Sequence, residues 1–406
     1  MTSAEAKSAD TTDRVLPRGP GAVRFGTAGF VNAVGTGFFY PFSLLFFTAL
    51  SGESLATVGM VLTVTTLGAL PGLFVVGRLV DRLGPRLVLI GAAVVRAVCF
   101  VGFVSLPGLL PLAVFSVVLA LGNRAEQAAG PLLAVRLAPE GQRSRWLALS
   151  RVTFNAGMGT GALLAGLFVA GTGSGFVLLG ALNAASFVVT AVLYLGIPAG
   201  APAAPAPARR HAEDRRARPW QNVTYLRVAG ANALLWTAAL AVESALPVFA
   251  LEELALPSWT VGVLFAVNTA LLTALQLPMS RTIDRLRPGP VMALGGLAYV
   301  ALYASALLAA SAPSWTRLAV LVAGMVVYTL GEMAVSQAAL VMLTGLPPER
   351  NQGSYLAFNQ LLVGVATALA PLLATGLLST VPTALWWALT GLSVLAALLP
   401  LRTPRP

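Results

Sequence analysis

Twelve apolar runs, each close to the length of a membrane-spanning helix, follow one another along this 406-residue chain and leave little room for any other kind of fold. A hydrocarbon core of ~30 Å takes about 20 apolar residues in a helix, because each residue adds ~1.5 Å. The runs lie at about 24–48, 55–76, 87–106, 110–135, 146–171, 174–197, 223–251, 258–279, 291–311, 316–343, 354–378 and 381–401. The count depends on dividing long apolar stretches at Ser51 to Ser54, Pro107 to Pro111, Gly171 to Gly175, Ser311 to Ser314 and Ser379 to Pro382. Only 10% of the residues are charged, against roughly 25% in a soluble protein. Such a chain would not stay in water as a globule, and the fold class expected is an all-α membrane protein with twelve transmembrane helices.

The net charge of +11 would suggest nucleic acid if the protein were soluble, but the position of the charges argues otherwise. All but five of the 26 Lys and Arg residues fall in the tails and loops on the side of the two termini. Four of the exceptions, Arg96, Arg124, Arg151 and Arg227, lie within spans, and Arg317 lies at an opposite-side boundary. The positive-inside rule then places both termini in the cytoplasm of a multi-pass protein of the cell membrane. The basic excess is a topology signal aided by anionic lipid, and no nucleic-acid partner is expected. The Arg-rich, Ala- and Pro-rich composition fits a high-GC bacterial genome and hence a bacterial inner membrane. A polar tail of about 23 residues precedes a first span too long for a signal-peptide core, so no cleaved signal is expected.

Chemistry of several kinds is excluded by lack of material. The one cysteine, Cys99, lies in an apolar run, and the one histidine, His211, lies in a polar linker. Metal sites and Ser-His or Cys-His catalysis have almost nothing to work with, and no phosphate loop of the GxxxxGK[ST] kind is present. No enzyme activity, metal or cofactor is therefore expected.

The chain divides into related halves. The segment from Pro198 to Trp220 is rich in Ala and Pro and then charged, as befits a flexible linker. The expected organisation is a tail at 1–23, a six-helix bundle at 24–197, a linker at 198–222, a second six-helix bundle at 223–401 and a tail at 402–406. LAPEGQRSRWLAL at Leu137 matches LPPERNQGSYLAF at Leu346, at an offset of 209 residues. GRLVDRLGPR at Gly77 returns as SRTIDRLRPG at Ser280, with Arg78, Asp81, Arg82 and Leu83 facing Arg281, Asp284, Arg285 and Leu286 at an offset of 203. Two elements repeating at nearly one distance imply duplication of a six-span unit, an arrangement typical of secondary transporters, with binding at the midplane between the repeats.

These residues resemble the major facilitator superfamily. Its signature between spans two and three, G-x-L-a-D-r-x-G-r-k, is met by Gly77, Leu79, Asp81, Arg82, Gly84 and Arg86, the last shifted by Pro85. The twelve-span drug:proton antiporters add an R-x-x-Q-G element in span four, met by Arg124 and Gln127 with Ala128 in place of Gly. They also add a Gly-rich element in span five, met by Gly157, Gly161 and Gly166, with Ala162 for Pro and Ala165 for Gly. The resemblance covers about residues 24 to 401. It implies the major facilitator fold of two pseudo-symmetric six-helix bundles, and a loop that latches the halves in the outward-open state. Gly77, Asp81, Arg82, Gly84 and Arg86 would form that gate, with Asp81 facing the unpaired N–H groups that open span eleven, near Gly353 and Ser354. Asp284 and Arg285 would form a weaker copy, because Ser280 and Arg287 replace the glycines of the tight turn.

Charges inside the spans point to the working groups. An ionised side chain at the centre of a helix costs ~2.5 to 3.5 kcal/mol on insertion scales, so such residues face a bundle interior or a cavity. Glu126, Glu243 and Glu332 are the acids, and Arg124 and Arg96 accompany them; Arg96 reads as a structural ion-pair partner. Arg124 and Glu126 are two apart and do not share a helix face. In span ten Tyr328, Glu332 and Ser336 recur every four residues, and in span seven Asn232, Trp236 and Glu243 fall within about 40° of one another. An aromatic body beside an acid suits a partly apolar, cationic ligand. Asn32, Asn268 and Gln360 are candidate cavity donors, while Phe38, Phe39 and Tyr40 read as packing or interface residues.

Glu332, Glu243, Glu126 and Arg124 are thus the expected proton-coupling set, and Asn32, Trp236, Asn268, Tyr328 and Gln360 the expected substrate contacts. An acid that gains or loses a basic neighbour as the halves rock can load a proton on one side and release it on the other. About 2.3 kcal/mol per charge at 100 mV plus ~1.4 for a tenfold proton gradient sustains a substrate ratio of several hundredfold. The expected function is proton-coupled efflux of a small, partly hydrophobic molecule, such as a drug or a secreted metabolite, by a monomer in the lipid bilayer. A proton-coupled nutrient importer and a non-transporting membrane sensor are the alternatives.

Overall fold

The computed structural model describes residues 21–139, 142–168, 173–197, 219–283, 285–347, 352–401 and 403, and these are helical with no strand among them. Span 1 runs as α1 (Ala22–Phe39), a 3₁₀ turn at Tyr40–Phe42 and α2 (Ser43–Ser51). It stops at Gly52, whose φ of 71° lets its amide turn back to the Thr48 carbonyl. Ser54 then caps the next helix by accepting from the Thr57 amide.

Span 2 departs from the continuous 55–76 helix that hydropathy predicts. It is built of α3 (Leu55–Gly68) and α4 (Gly72–Leu83), separated at Pro71, which has no N–H with which to continue the ladder. The charged stretch that begins at Gly77 is therefore not a hairpin loop but the last turns of a helix. Its i, i+4 pair Val76 and Val80 is buried, and Arg78, Leu79, Asp81 and Arg82 lie exposed around them. The turn is confined to Gly84, at φ 78°, after which Pro85 opens the next helix.

The remaining spans follow as α5 (Pro85–Ser105), α6 (Leu109–Leu137), α7 (Arg143–Phe168), α8 (Gly173–Leu195), α9 (Val223–Val248) with a π turn at Phe249–Glu253, α10 (Ser258–Ile283), α11 (Pro288–Ser311), α12 (Ser314–Gly345), α13 (Gln352–Leu378) and α14 (Pro382–Leu398). Nine of the described helical stretches are long and apolar enough to cross a membrane on their own. Span 2 falls short because it is broken, span 12 because α14 has 17 residues, and span 5 because α7 carries Arg143, Arg145, Arg151 and Asn155.

Helix pairing shows the duplication in three dimensions. In the first half span 1 packs on spans 5 and 6, span 3 on spans 4 and 6, and span 2 on span 4. The second half repeats every one of these pairings six spans later: 7 on 11 and 12, 9 on 10 and 12, and 8 on 10. The contacts between halves exchange in the same way, span 5 meeting span 8 and span 11 meeting span 2. The result is two pseudo-symmetric six-helix bundles. Within a half, small residues set the spacing: a methyl group at Gly161 would run into the Val34 carbonyl of span 1, and one at Gly157 would lie 2.5 Å from the Phe30 carbonyl.

The two halves close against each other at the end away from the termini, called here the far end. There Ser258 Oγ donates to the Gly166 carbonyl across the interface at 2.8 Å, and Gly59 abuts Thr375 so closely that no Cβ would fit. Phe38, Phe42, Ala165 and Leu179 of the first half bury Ala250 and Val261 of the second. Midway down, Gly159 faces Thr269 and Gly364 faces Leu70. Toward the terminal end the same faces become exposed, at Ala148, Arg151 and Val152 of span 5, Val75 and Gly77 of span 2, and Leu356 and Gln360 of span 11. The halves thus enclose a cleft that opens toward the termini. Exposed Trp259, Trp315 and Trp387 ring the far end, as indoles do where hydrocarbon meets headgroup.

Candidate functional site: the acidic apex of the cleft

Glu332 of span 10 is held by its neighbours on span 8. Asn268 Nδ2 donates to Glu332 Oε2 at 2.9 Å and lies 3.0 Å from Thr329 Oγ1, while the Thr329 hydroxyl donates to the Met325 carbonyl at 2.7 Å. Asn268 is thereby fixed as a donor to the carboxylate. Glu243 of span 7 is hydrogen-bonded to the Tyr40 hydroxyl, which comes from the other half. The two carboxylates are close enough to repel each other, and Tyr299 and Tyr328, with ring centroids 4.5 Å apart, border both. Among the described residues no Arg or Lys forms an ion pair with either acid. Two like charges in a medium of low dielectric with no base between them make a site matched to a mobile cation, a proton included.

Span 7 places Glu243 by its own irregularity. Pro247, four residues on, lacks the N–H that would bond the Glu243 carbonyl, and the helix beyond it widens into the π turn at Phe249–Glu253. Leu254 closes that turn by bonding back to Phe249, and Arg317 donates from span 10 to the Leu254 carbonyl at 2.7 Å. Below Glu243 on the same face, Trp236 donates from Nε1 to Thr367 Oγ1 at 3.3 Å, and Asn232 donates to Asn359 Oδ1 at 3.3 Å. This face meets the other half at Tyr40, so two turns closer to the termini it borders the cleft. Trp236, 46% exposed, and Thr367 line it there. Gln360 is exposed one turn below Gly364, on the side of span 11 that approaches span 2.

Two of the residues expected to touch substrate are sequestered. Asn32 is 3% exposed and accepts a hydrogen bond from Arg96 Nη2 at 2.8 Å, so it serves the interior of the first bundle rather than the cleft. Tyr328 is 4% exposed and covered by the Tyr299 ring. Arg96, 2% exposed, also lies over the Phe187 ring at 4.3 Å and within electrostatic reach of Glu126. It is Arg96, and not the half-buried Arg124, that the fold brings near Glu126; Arg124 has no acidic partner among the described residues. Tyr40 is the residue that hydropathy concealed. Its hydroxyl, in an apolar run just before Pro41, was the available signal, since a phenol in hydrocarbon needs a partner.

The gate residues expected from the sequence lie apart from this apex. Asp81 and Arg82 are exposed at the terminal end of α4, which packs on α5 and α6. Arg86 instead turns inward, donating from Nε to the Tyr194 carbonyl at 3.0 Å and from Nη2 to the Leu195 carbonyl, and Arg24 donates to the Gly196 carbonyl. Gly77 has open space where a Cβ would stand. In the copy, Arg285 is exposed in a turn and Asp284 lies outside the described residues, as do residues 198–218 of the linker, with His211, and the first twenty residues. Arg287, opposite Gly84 in the repeat, has φ −76° against 78°, so the second loop does without the left-handed turn.

A duplicated, cleft-bearing helical bundle with an acidic apex defines a transporter rather than an enzyme. The family model of the Major Facilitator Superfamily matches residues 25–358 and 241–406, and the chain belongs to that family. Solved structures agree on the fold. A mutant form of the nucleoside transporter NupG aligns with a TM-score of 0.80 at 13% identity, over 94% of this chain and 99% of that one. The peptide transporter POT in complex with sulfate aligns at 0.75 and 15% identity, over 95% and 96%. The inward-open xylose transporter XylE from E. coli aligns at 0.72 and 14% identity, over 95% and 96%. Curated proteins give no match.

Proposed function

We propose that this transporter exchanges protons for a small, partly hydrophobic molecule and so exports it across the cell membrane by alternating access, with both termini in the cytoplasm. The observation that carries the reading is the pair Glu243 and Glu332, two carboxylates near the closed end of the cleft with no base to neutralise them among the described residues. A carboxylate that can hold either a proton or a cationic group of the substrate, but not both, exchanges one for the other. That competition is the simplest physical form of antiport. The Tyr40 bond adds a mechanical link, because a group arriving at Glu243 competes for the oxygens that tie span 7 to span 1. The conformation described, closed at the far end and open toward the termini, is the one in which an exporter loads cargo.

Proteoliposomes with an imposed pH gradient test this. Substrate should leave the side bearing the termini as protons enter it. Glu332→Gln and Glu243→Gln should each uncouple the two flows, lowering gradient-driven transport by at least about tenfold, the loss of a charge-assisted contact of ~1.5 to 3 kcal/mol. Movement of substrate and protons in the same direction would replace export with uptake. Full coupling in both variants would remove the acids from the mechanism.

A further inference from the structure

Arg151 is one of the charged groups of the spans, with Arg124 and Arg227, that the acidic apex leaves unused. It lies in α7, about 12 Å of helix rise inside the terminal end, and makes no hydrogen bond or ion pair among the described residues. Its direction follows from its neighbours. Gly157 and Gly161 face span 1, Gly159 and Gly166 face span 8, and exposed Ala156, Thr160 and Leu163 mark the side turned to lipid. At 100° per residue Arg151 falls between the span 1 and span 8 faces and roughly 150° from the lipid side. It therefore points into the cleft, with Asn155 one turn above it on nearly the same line. An arginine in this setting, unpaired and turned from lipid, marks a functional position.

The level of the acids can be fixed on the same helix. Gly159 faces Thr269, whose neighbour Asn268 holds Glu332, so the acids lie about 12 Å of rise above Arg151. The wall of the first half is basic where the apex of the second half is acidic. We propose that Arg151 binds an anionic group, and that the substrate is amphoteric: an apolar body with a carboxylate toward Arg151 and an amine toward Glu332 and Glu243. This rests on the reading of the cleft as the substrate site. The reach of the arginine side chain sets the spacing of the two charges at about 6 to 12 Å, and Trp236, about 10 Å below Glu243, supplies a ring to stack on the body between them.

The test uses 4-(aminomethyl)benzoic acid and its longer phenyl and biphenyl homologues, each also as the carboxamide, which keeps only the amine, and as the N-acetyl acid, which keeps only the carboxylate. Dissociation constants are measured on the full chain in phosphatidylcholine nanodiscs, where no anionic lipid competes for the arginine. The wild type should bind the doubly charged members about tenfold or more tighter than their carboxamides, the worth of one charge-assisted hydrogen bond. Arg151→Gln should erase that advantage while leaving the carboxamides unchanged, and Arg151→Lys should restore part of it. Unchanged melting of the variants checks that the fold is intact. Equal affinity for carboxamide and amphoteric compounds, or an Arg151→Gln ranking like the wild type, overturns the proposal. If carboxamides still bind and exchange for protons, only the amphoteric class fails; if no compound binds and no proton-linked flux occurs, the transport reading fails with it.

Discussion

At the scale of single residues, a phenol and a carboxylate join the two halves beside the far seal. Tyr40→Phe removes the bond to Glu243 and keeps the ring, so the far-closed population should fall about tenfold or more relative to the open one. Spin labels at Ser54 and Thr380, both exposed at the far end, would report it as longer distances; an unchanged distribution would mean that the bond does not hold the seal. The acids themselves were legible in the sequence, because a charge in hydrocarbon is conspicuous and has few bland explanations. Tyr40 was not, since a single hydroxyl in an apolar run looks like interface decoration until its partner from span 7 is known. Asn32 and Tyr328 were legible as polar, but not as buried: periodicity gives a helix face, but not whether Arg96 or Tyr299 already covers it.

At the scale of elements, two groups of residues acquire a packing reason that their motifs did not reveal. Gly157 and Gly161 belong to the Gly-rich element that resembles the antiporter branch, yet both are required by the close approach of span 1. Gly161→Leu should wedge those helices apart and lower the melting temperature in detergent by several degrees, at a cost of ~1 to 3 kcal/mol, whatever the direction of transport. The arginines at the terminal end also divide. Arg24 and Arg86 donate to the carbonyls of residues 194 to 196 at the end of span 6, where the Tyr194 carbonyl also accepts from the Ile197 amide at 3.2 Å. Arg86→Ala should therefore destabilise the first bundle by ~1 to 3 kcal/mol, read as a lower melting temperature, and Arg86→Lys should recover little because it cannot span both carbonyls. The twelve spans were visible from hydropathy, but the break at Pro71 was not, because α3 and the start of α4 are equally apolar.

At the scale of the whole molecule, the exposed Asp81 has no partner among the described residues. If it caps the opening turn of span 11 when the terminal end closes, Asp81→Asn should leave this conformation untouched and depopulate the alternative, shifting the distribution further toward the terminal-open state. Labels across the terminal end would show it; equal populations in variant and wild type would leave the charged turn without a gating role. The repeat in the sequence foretold the pseudo-symmetry. The exchange of spans 5 and 8, and of 11 and 2, could be seen only once the pairings within each half were known.

That exchange has a kinetic consequence. The two mid-span contacts, Gly159 against Thr269 and Gly364 against Leu70, lie between the sealed end and the open one, where a pair of rocking bodies would have its fulcrum. A fulcrum is touched equally in both end states, so roughness there raises the barrier without tilting the balance. Replacing Gly159 with a bulkier residue should slow loading and return strokes by the same factor, while affinity and the resting ratio of the two orientations stay where they were.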